Sequence, residues 1–191
     1  DCDCACREGP VRIELRVEGG EILDLDTDVG GTWQDRRGEI TNLGEIPPAE
    51  AVELLFRIAE TAQEDVAEDA IFPATIARDI ETWPRLLEIA RGSAPSDVRR
   101  QAVFWLGQEA SERATEGLTS IIESEAELGV REHAIFALSQ REEEAAFEAL
   151  VEIARDSGEP ELRRKAIFWL GQKGDDPRVL RLLEDILSGG G

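Results

Sequence analysis

Gln101-Ala102-Val103-Phe104-Trp105-Leu106 returns as His133-Ala134-Ile135-Phe136-Ala137-Leu138 and again as Lys165-Ala166-Ile167-Phe168-Trp169-Leu170, with an earlier copy at Asp69-Ala70-Ile71-Phe72-Pro73-Ala74. The alanines at 70, 102, 134 and 166 are 32 positions apart each time, a phase that marks a repeat architecture. A second apolar series follows in step: Leu86-Leu87-Glu88-Ile89-Ala90, Leu118 with Ile121 and Ile122, Leu150-Val151-Glu152-Ile153-Ala154, and Leu182-Leu183 with Ile186 and Leu187, the last slipped by about one residue. Each unit therefore reads as a pair of helices. Val98, Ala102, Trp105 and Leu106 fall at i, i+4, i+7 and i+8, one helical face, and the small alanine lets neighbouring helices approach. One pair cannot bury such a face, whereas stacked pairs can, which is the logic of an α-solenoid.

Working outward, Pro47-Pro48 followed by Val52, Leu55, Ile58 and Ala59 predicts a proline-opened helix closing near Gln63, a half repeat ahead of four full ones. Before it the period changes to two. Val11, Ile13, Leu15 and Val17 alternate with Arg12, Glu14 and Arg16, and Leu23, Leu25 and Val29 with Asp24, Asp26 and Asp28. This predicts a hairpin with a three-residue Glu18-Gly19-Gly20 loop, pairing Leu15 with Leu23, Ile13 with Leu25 and Arg12 with Asp26. Trp33 and Glu39 to Thr41 are candidates for further short strands. The expected organisation is a Cys-rich tip and β-hairpin cap over 1–45 and a mostly α solenoid over 46–191.

Val98-Arg99-Arg100-Gln101-Ala102 with Leu106-Gly107, Val130-Arg131-Glu132-His133-Ala134 with Leu138, and Leu162-Arg163-Arg164-Lys165-Ala166 with Leu170-Gly171 resemble the short bacterial variety of HEAT repeat, related to the phycobilin lyase type, over about residues 65–188. The marker spacings of tetratricopeptide and ankyrin repeats do not occur. Gly9-Pro10-Val11-Arg12 and Val29-Gly30-Gly31-Thr32-Trp33 resemble the front end of uncharacterised secreted bacterial HEAT-like proteins, which implies an extracytoplasmic location.

The chain has 191 residues, with 42 Asp and Glu against 21 Lys and Arg, a net charge of −21. That balance repels phosphate backbones and anionic lipid, so nucleic-acid and membrane-surface binding are not expected. No apolar run approaches the roughly 18 residues that a membrane helix needs. Cys2, Cys4 and Cys6 hold every thiol, and the chain starts at Asp1 without any Met, which reads as a processed form or an excised domain. An odd number of thiols fits a disulfide to another molecule, including a disulfide-linked dimer, or free thiols, better than zinc, whose structural sites use four ligands at more open spacing. A periplasmic or secreted location follows, with the cytoplasm as the alternative.

His133 is the only histidine, so any nucleophilic triad must use it, and its column partners Gln101 and Lys165 mark a polar, solvated position. HEAT-repeat hydroxylases hold two irons through repeated His-Glu pairs, but Glu132-His133 occurs once, so that activity is not carried over. Asp24, Asp26 and Asp28 imitate half a calcium loop, yet Val29 and Asp35 stand where Gly and Glu belong, and an acidic outer strand face is expected. Glu142-Glu143-Glu144 reads as a helix start. Trp105 and Trp169 are expected in the core. Arg99, Arg131 and Arg163 recur at 32, as do Gln108, Gln140 and Gln172, and each column forms a ladder able to grip an acidic peptide. The competing structural roles are pairing of each arginine with an adjacent unit's acid, such as Asp97 or Glu161, and glutamines that satisfy helix-end carbonyls. The functional expectation is a non-enzymatic scaffold without cofactor or metal, binding a protein partner of basic character through an acidic surface. The alternative is an accessory or ligand-binding domain of an enzyme, lyase-like in type.

Overall fold

The computed structural model describes residues 9–30, 40–173 and 176–188. Cys2, Cys4 and Cys6, Trp33 and Asp35 lie outside the described residues, and Ile40 and Thr41 belong to no strand. The chain is mostly helical, with a two-stranded antiparallel sheet near its N-terminus. It divides into two compact units, Asp1–Thr82 and Trp83–Gly191. This division and the change of period after residue 45 do not coincide, because the first helices pack with the hairpin.

In the first unit β1 (Val11–Glu18) pairs with β2 (Glu21–Val29). The loop is Gly19-Gly20 alone, with φ of 61° and 90°, the left-handed region that a two-residue turn demands. The predicted three-residue loop is therefore corrected. Val17 pairs with Ile22 and Arg16 with Asp24, so Leu23 is an extra, bulged residue. The bulge shifts the register by one, puts Leu15 opposite Leu25 and Arg12 opposite Asp28, and reconciles a tight glycine turn with an apolar face. Leu25 is buried, whereas Leu23 is exposed. Asp24, Asp26 and Asp28 face Arg16, Glu14 and Arg12 across the ladder, with Asp24 and Asp28 exposed and Asp26 half-buried.

Helix α1 (Pro48–Thr61) starts at a proline, and the Pro47 carbonyl accepts from the amides of Glu50 and Ala51, both at 3.0 Å. It buries Val52, Leu55, Phe56, Ile58 and Ala59. The first copy of the repeat is not one helix but two short ones, α2 (Glu64–Asp69) and α3 (Ile71–Thr75), divided at Ala70. Pro73 is the cause: it lacks the N–H that would reach the Asp69 carbonyl, and its ring crowds that oxygen. Helices α2 and α3 pack on α1, and α2 packs on β2.

The second unit contains α4 (Trp83–Arg91), α5 (Ser96–Gln108), α6 (Glu112–Ser124), α7 (Leu128–Ser139), α8 (Glu144–Asp156), α9 (Pro160–Gly171) and α10 (Pro177–Leu187). Helix α5 packs on α7 and α7 on α9, α4 on α6 and α6 on α8, which is the stacking that the 32-residue period predicts. Val98, Val130 and Leu162, then Ala102, Ala134 and Ala166, then Leu106, Leu138 and Leu170, form three fully buried columns. Gly107 lies at a close approach of α5 and α7: a Cβ there would stand 2.8 Å from Ala137 Cβ. Helix starts follow local chemistry. Ser111 Oγ accepts the Arg113 amide at 3.3 Å and Asp176 Oδ1 accepts the Arg178 amide at 2.9 Å, whereas Glu143 stands at the N-cap position of α8 without a side-chain capping bond, and Glu144 lies in the first turn.

Candidate interaction surface

The arginine column lies against the loops of the array. Arg99 on α5 donates from Nη1 to Glu125 Oε1 at 2.7 Å and from Nη2 to Glu127. Arg131 on α7 donates from Nε to the Ile122 carbonyl at 2.6 Å and pairs with Glu159, while Arg163 on α9 donates to the Ser157 carbonyl. The acids that the sequence suggested as partners are engaged one helical turn away instead: Asp97 pairs with Arg100 and Glu161 with Arg164. Glu127 and Glu159 are themselves 32 apart and stand at the N-caps of α7 and α9, so Arg99 and Arg131 each reach the loop that opens the following unit.

Gln108, Gln140 and Gln172 are exposed at the C-terminal ends of α5, α7 and α9. At 140 and 172 the main-chain amide closes the helix, to Ala137 O at 3.2 Å and to Trp169 O at 3.2 Å. The Gln140 side chain donates to Ser139 Oγ at 3.1 Å.

His133 is half-buried rather than solvated, a correction to the sequence reading. Its ring meets the edge of Phe136, one turn along α7, with centroids 5.7 Å apart. Burial pushes its pKa below the ordinary 6.5, and the Arg100 cation adds to the shift. Trp105 and Trp169 are also half-buried, at the margin of the core instead of within it. Trp169 packs on Phe136 at 5.0 Å, joining α9 to α7, and Phe168 beside it is 54% exposed.

One position that joins neighbouring units is not legible in the sequence. Arg141 follows α7, and its side chain is only 4% exposed. Its Nη1 donates to the carbonyls of Gly107 at 3.0 Å and Glu109 at 2.6 Å, and Nη2 to that of Ser111 at 3.0 Å. Nε and Nη2 form a fork onto Glu143, at 2.9 and 2.7 Å, and Thr115 Oγ1 donates to the same carboxylate at 2.8 Å. These side-chain hydrogen bonds from Arg141, helped by Thr115 and opposed by burial, hold the Glu143 carboxyl below its ordinary range. Lys173, 32 residues on, repeats the gesture, donating to the Arg141 carbonyl at 3.3 Å. The column Glu109, Arg141, Lys173 was the available signal, obscured because its first member has the opposite charge.

The remaining charge is distributed unevenly. Helix α6 shows Glu112, Glu116 and Glu123 to solvent, and α8 shows Glu144, Glu148, Glu152 and Asp156. Between α8 and α10 lies an open groove of about 470 Å³, with Phe147, Val151 and Leu182 as its apolar lining. Arg178 closes one end: its guanidinium stands 3.9 Å from the Phe147 ring centre, pairs with Glu144, and holds the Asp176 carboxyl down to about 2 through their hydrogen bonds. Arg155 and Asp185 pair across it at 3.3 Å. A smaller groove of about 220 Å³ between α4 and α6 is lined by Trp83, Leu87, Arg91, Arg113 and Glu116, and is basic in balance. Among the described residues no group of three or more His, Cys, Asp or Glu is placed to hold a metal ion, and no helix is long and apolar enough to cross a membrane.

No curated protein matches the chain. Residues 83–171 match the family described as HEAT repeats, from the first residue of α4 to the last of α9. With stacked helix pairs, buried columns at a 32-residue period and cross-unit arginine clasps on the same stretch, this part of the chain is similar to an array of HEAT repeats.

Proposed function

We propose that the chain is a non-enzymatic scaffold that holds a basic protein partner against the acidic surface of its HEAT array. HEAT repeats are in general protein-interaction scaffolds, and the observation that carries the reading is the array over residues 83–171 in a chain of net charge −21. Acids on α6 and α8 face solvent, while the arginines of the 99, 131 and 163 column are committed to partners within the array. Association then depends on shape and charge spread over several units, with steering that salt weakens. An extracytoplasmic, oxidising location belongs to the same proposal, supported by the odd cluster Cys2, Cys4 and Cys6, which would tether the chain to a second thiol.

The test is chemical cross-linking to identify the partner, followed by reconstitution from pure components and titration with salt. A basic partner whose affinity falls as salt rises is expected. Binding that ignores salt, or a gel shift of duplex DNA at low micromolar protein, overturns the charge reading. Non-reducing electrophoresis with thiol counting tests the location, since three titratable thiols that resist oxidation would remove the tether.

A further inference from the structure

Helices α9 and α10 leave open the side that α5 and α7 have covered. Val103 on α5 and Ile135 on α7 are fully buried, whereas Ile167, the next member of that column, is half-buried. Trp169 of the following helix packs on Phe136 at 5.0 Å, but Phe168 meets Trp169 of its own helix and is 54% exposed. A Cβ at Gly107 would touch Ala137, and one at Gly171 meets nothing within 4 Å. Arg99 and Arg131 pair with acids of the following unit, while Arg163 makes no ion pair among the described residues. Helix α10 carries the same side further. Leu180 and Leu183 stand 32 positions after Glu148 and Val151, two of the residues with which α8 faces α10. A terminal unit ordinarily turns a polar face to water. Here the internal junction has Glu148, and the open side has Leu180, 55% exposed, beside the half-buried Leu183.

Charge selects the occupant. Residues 157–191 hold six acids and six bases, so the whole net charge of −21 lies in residues 1–156. Two copies of the chain repel wherever those residues meet, and this side escapes that repulsion. We propose that the open side of α9 and α10 docks the same side of a second copy, forming a twofold, non-covalent dimer that goes beyond the scaffold reading and does not depend on it. Ile167, Leu180 and Leu183 of the two copies make the apolar contact, with Phe168 at its margin, as the equivalent columns do between stacked helices. Arg163 and Glu184, neither of them in an ion pair among the described residues, give each copy one cation and one anion for the other. A twofold contact uses the same patch on both copies, so association stops at two.

Sedimentation equilibrium of the full chain between about 1 and 200 μM is expected to show a reversible dimer and no larger species. Reductant is kept present so that Cys2, Cys4 and Cys6 cannot link copies. Leu180→Glu, the residue that α8 carries at 148, is expected to weaken the dimer about tenfold or more, since both copies carry it, and Leu180→Gln to weaken it less. Leu43→Glu, at a leucine 84% exposed in the first unit, adds the same charge and is expected to change it less than about twofold. Circular dichroism checks that the helices stay intact, and Leu180→Gln carries the comparison if Leu180→Glu loses helicity. Raising salt from about 0.05 to 0.5 M screens the repulsion between two acidic bodies and is expected to leave the dimer as tight or tighter, the opposite sign from a basic partner. Hydrogen exchange above and below the dimer midpoint should slow in α9 and α10 and stay constant in α4. A chain still monomeric at the highest concentration, equal losses from Leu180→Glu and Leu43→Glu, growth beyond two copies, dissociation by salt, or slowing confined to helices other than α9 and α10 overturns the dimer.

Discussion

Arg141 shows how a single side chain ties two repeats. Three carbonyls around the end of α5 and the start of α6, together with the Glu143 carboxylate, have their donors in one nearly buried guanidinium. Arg141→Met would strand all of them, and a loss of about 3 to 5 kcal/mol in urea unfolding is expected. Arg178→Met, at an ion pair open to water, should change stability far less. The Glu143 carboxyl is held below its ordinary 4.5, so its contribution is present above that value and is lost as pH falls through the lowered folded value. The gap between wild type and Arg141→Met should therefore narrow in acid, and a pH-independent gap would mean that the fork onto Glu143 is not formed. His133 acts with the same sign for a different reason. Burial, with Arg100, depresses its pKa, so the unfolded chain binds the proton more readily and stability is lost as pH falls below 6.5. His133→Gln, the residue that position 101 already carries, should flatten that part of the urea midpoint against pH, and an unchanged slope would place the titration elsewhere.

At the level of the helix, one repeat position can be tested twice. Gly107 and Gly171 occupy the same register, 64 residues apart, yet a Cβ at 107 meets Ala137 Cβ at 2.8 Å while a Cβ at 171 meets nothing within 4 Å. Gly107→Ala should therefore cost about 1 to 3 kcal/mol through overpacking of α5 on α7, and Gly171→Ala should be neutral or gain up to about 1 kcal/mol from helix propensity. Equal effects in thermal unfolding would contradict the stacking order. The array itself was legible because burial repeats with the chain: Ala102, Ala134 and Ala166 lie in equivalent, fully buried places, so composition and period agree. What was illegible depends on a neighbour that the local pattern does not name. The bulge at Leu23 is a compromise between a glycine turn and a distant apolar pairing. The acid partners of Arg99 and Arg131 lie 26 to 28 residues away, outside the apolar stripe that marks the helices, while Asp97 and Glu161 share a helix face with Arg100 and Arg164 instead. Pro73 was visible in the sequence, and its consequence, the split between α2 and α3, follows from the missing amide alone. The groove between α8 and α10 needed the structure, since nothing in the period distinguishes that junction from the one between α6 and α8.

Across the whole molecule the acidity is not shared evenly. Residues 1–82 contain 21 of the 42 acids but only seven of the 21 bases, a net −14, which leaves −7 for residues 83–191. Asp69, on α2 where that helix packs on β2, registers the crowding: burial, then Asp24, Asp65 and Asp26, push its carboxyl above the ordinary range. Such self-repulsion opposes the compact state, and it is long-ranged until salt shortens it, from a screening length of about 30 Å at 0.01 M to about 10 Å at 0.1 M. The N-terminal unit should therefore respond to salt more than the second unit does. Hydrogen exchange at neutral pH, referenced to unfolded peptide under the same salt, reads this helix by helix. Protection in α1 should rise between those two salt concentrations by a larger factor than protection in α7, whose core columns are apolar and whose ion pairs gain nothing from screening. Equal rises would assign the effect to a property common to both units, and a fall in α1 would mean that its ion pairs outweigh the net charge, so that the acidity belongs to local pairing and not to a field that extends over the surface toward a partner.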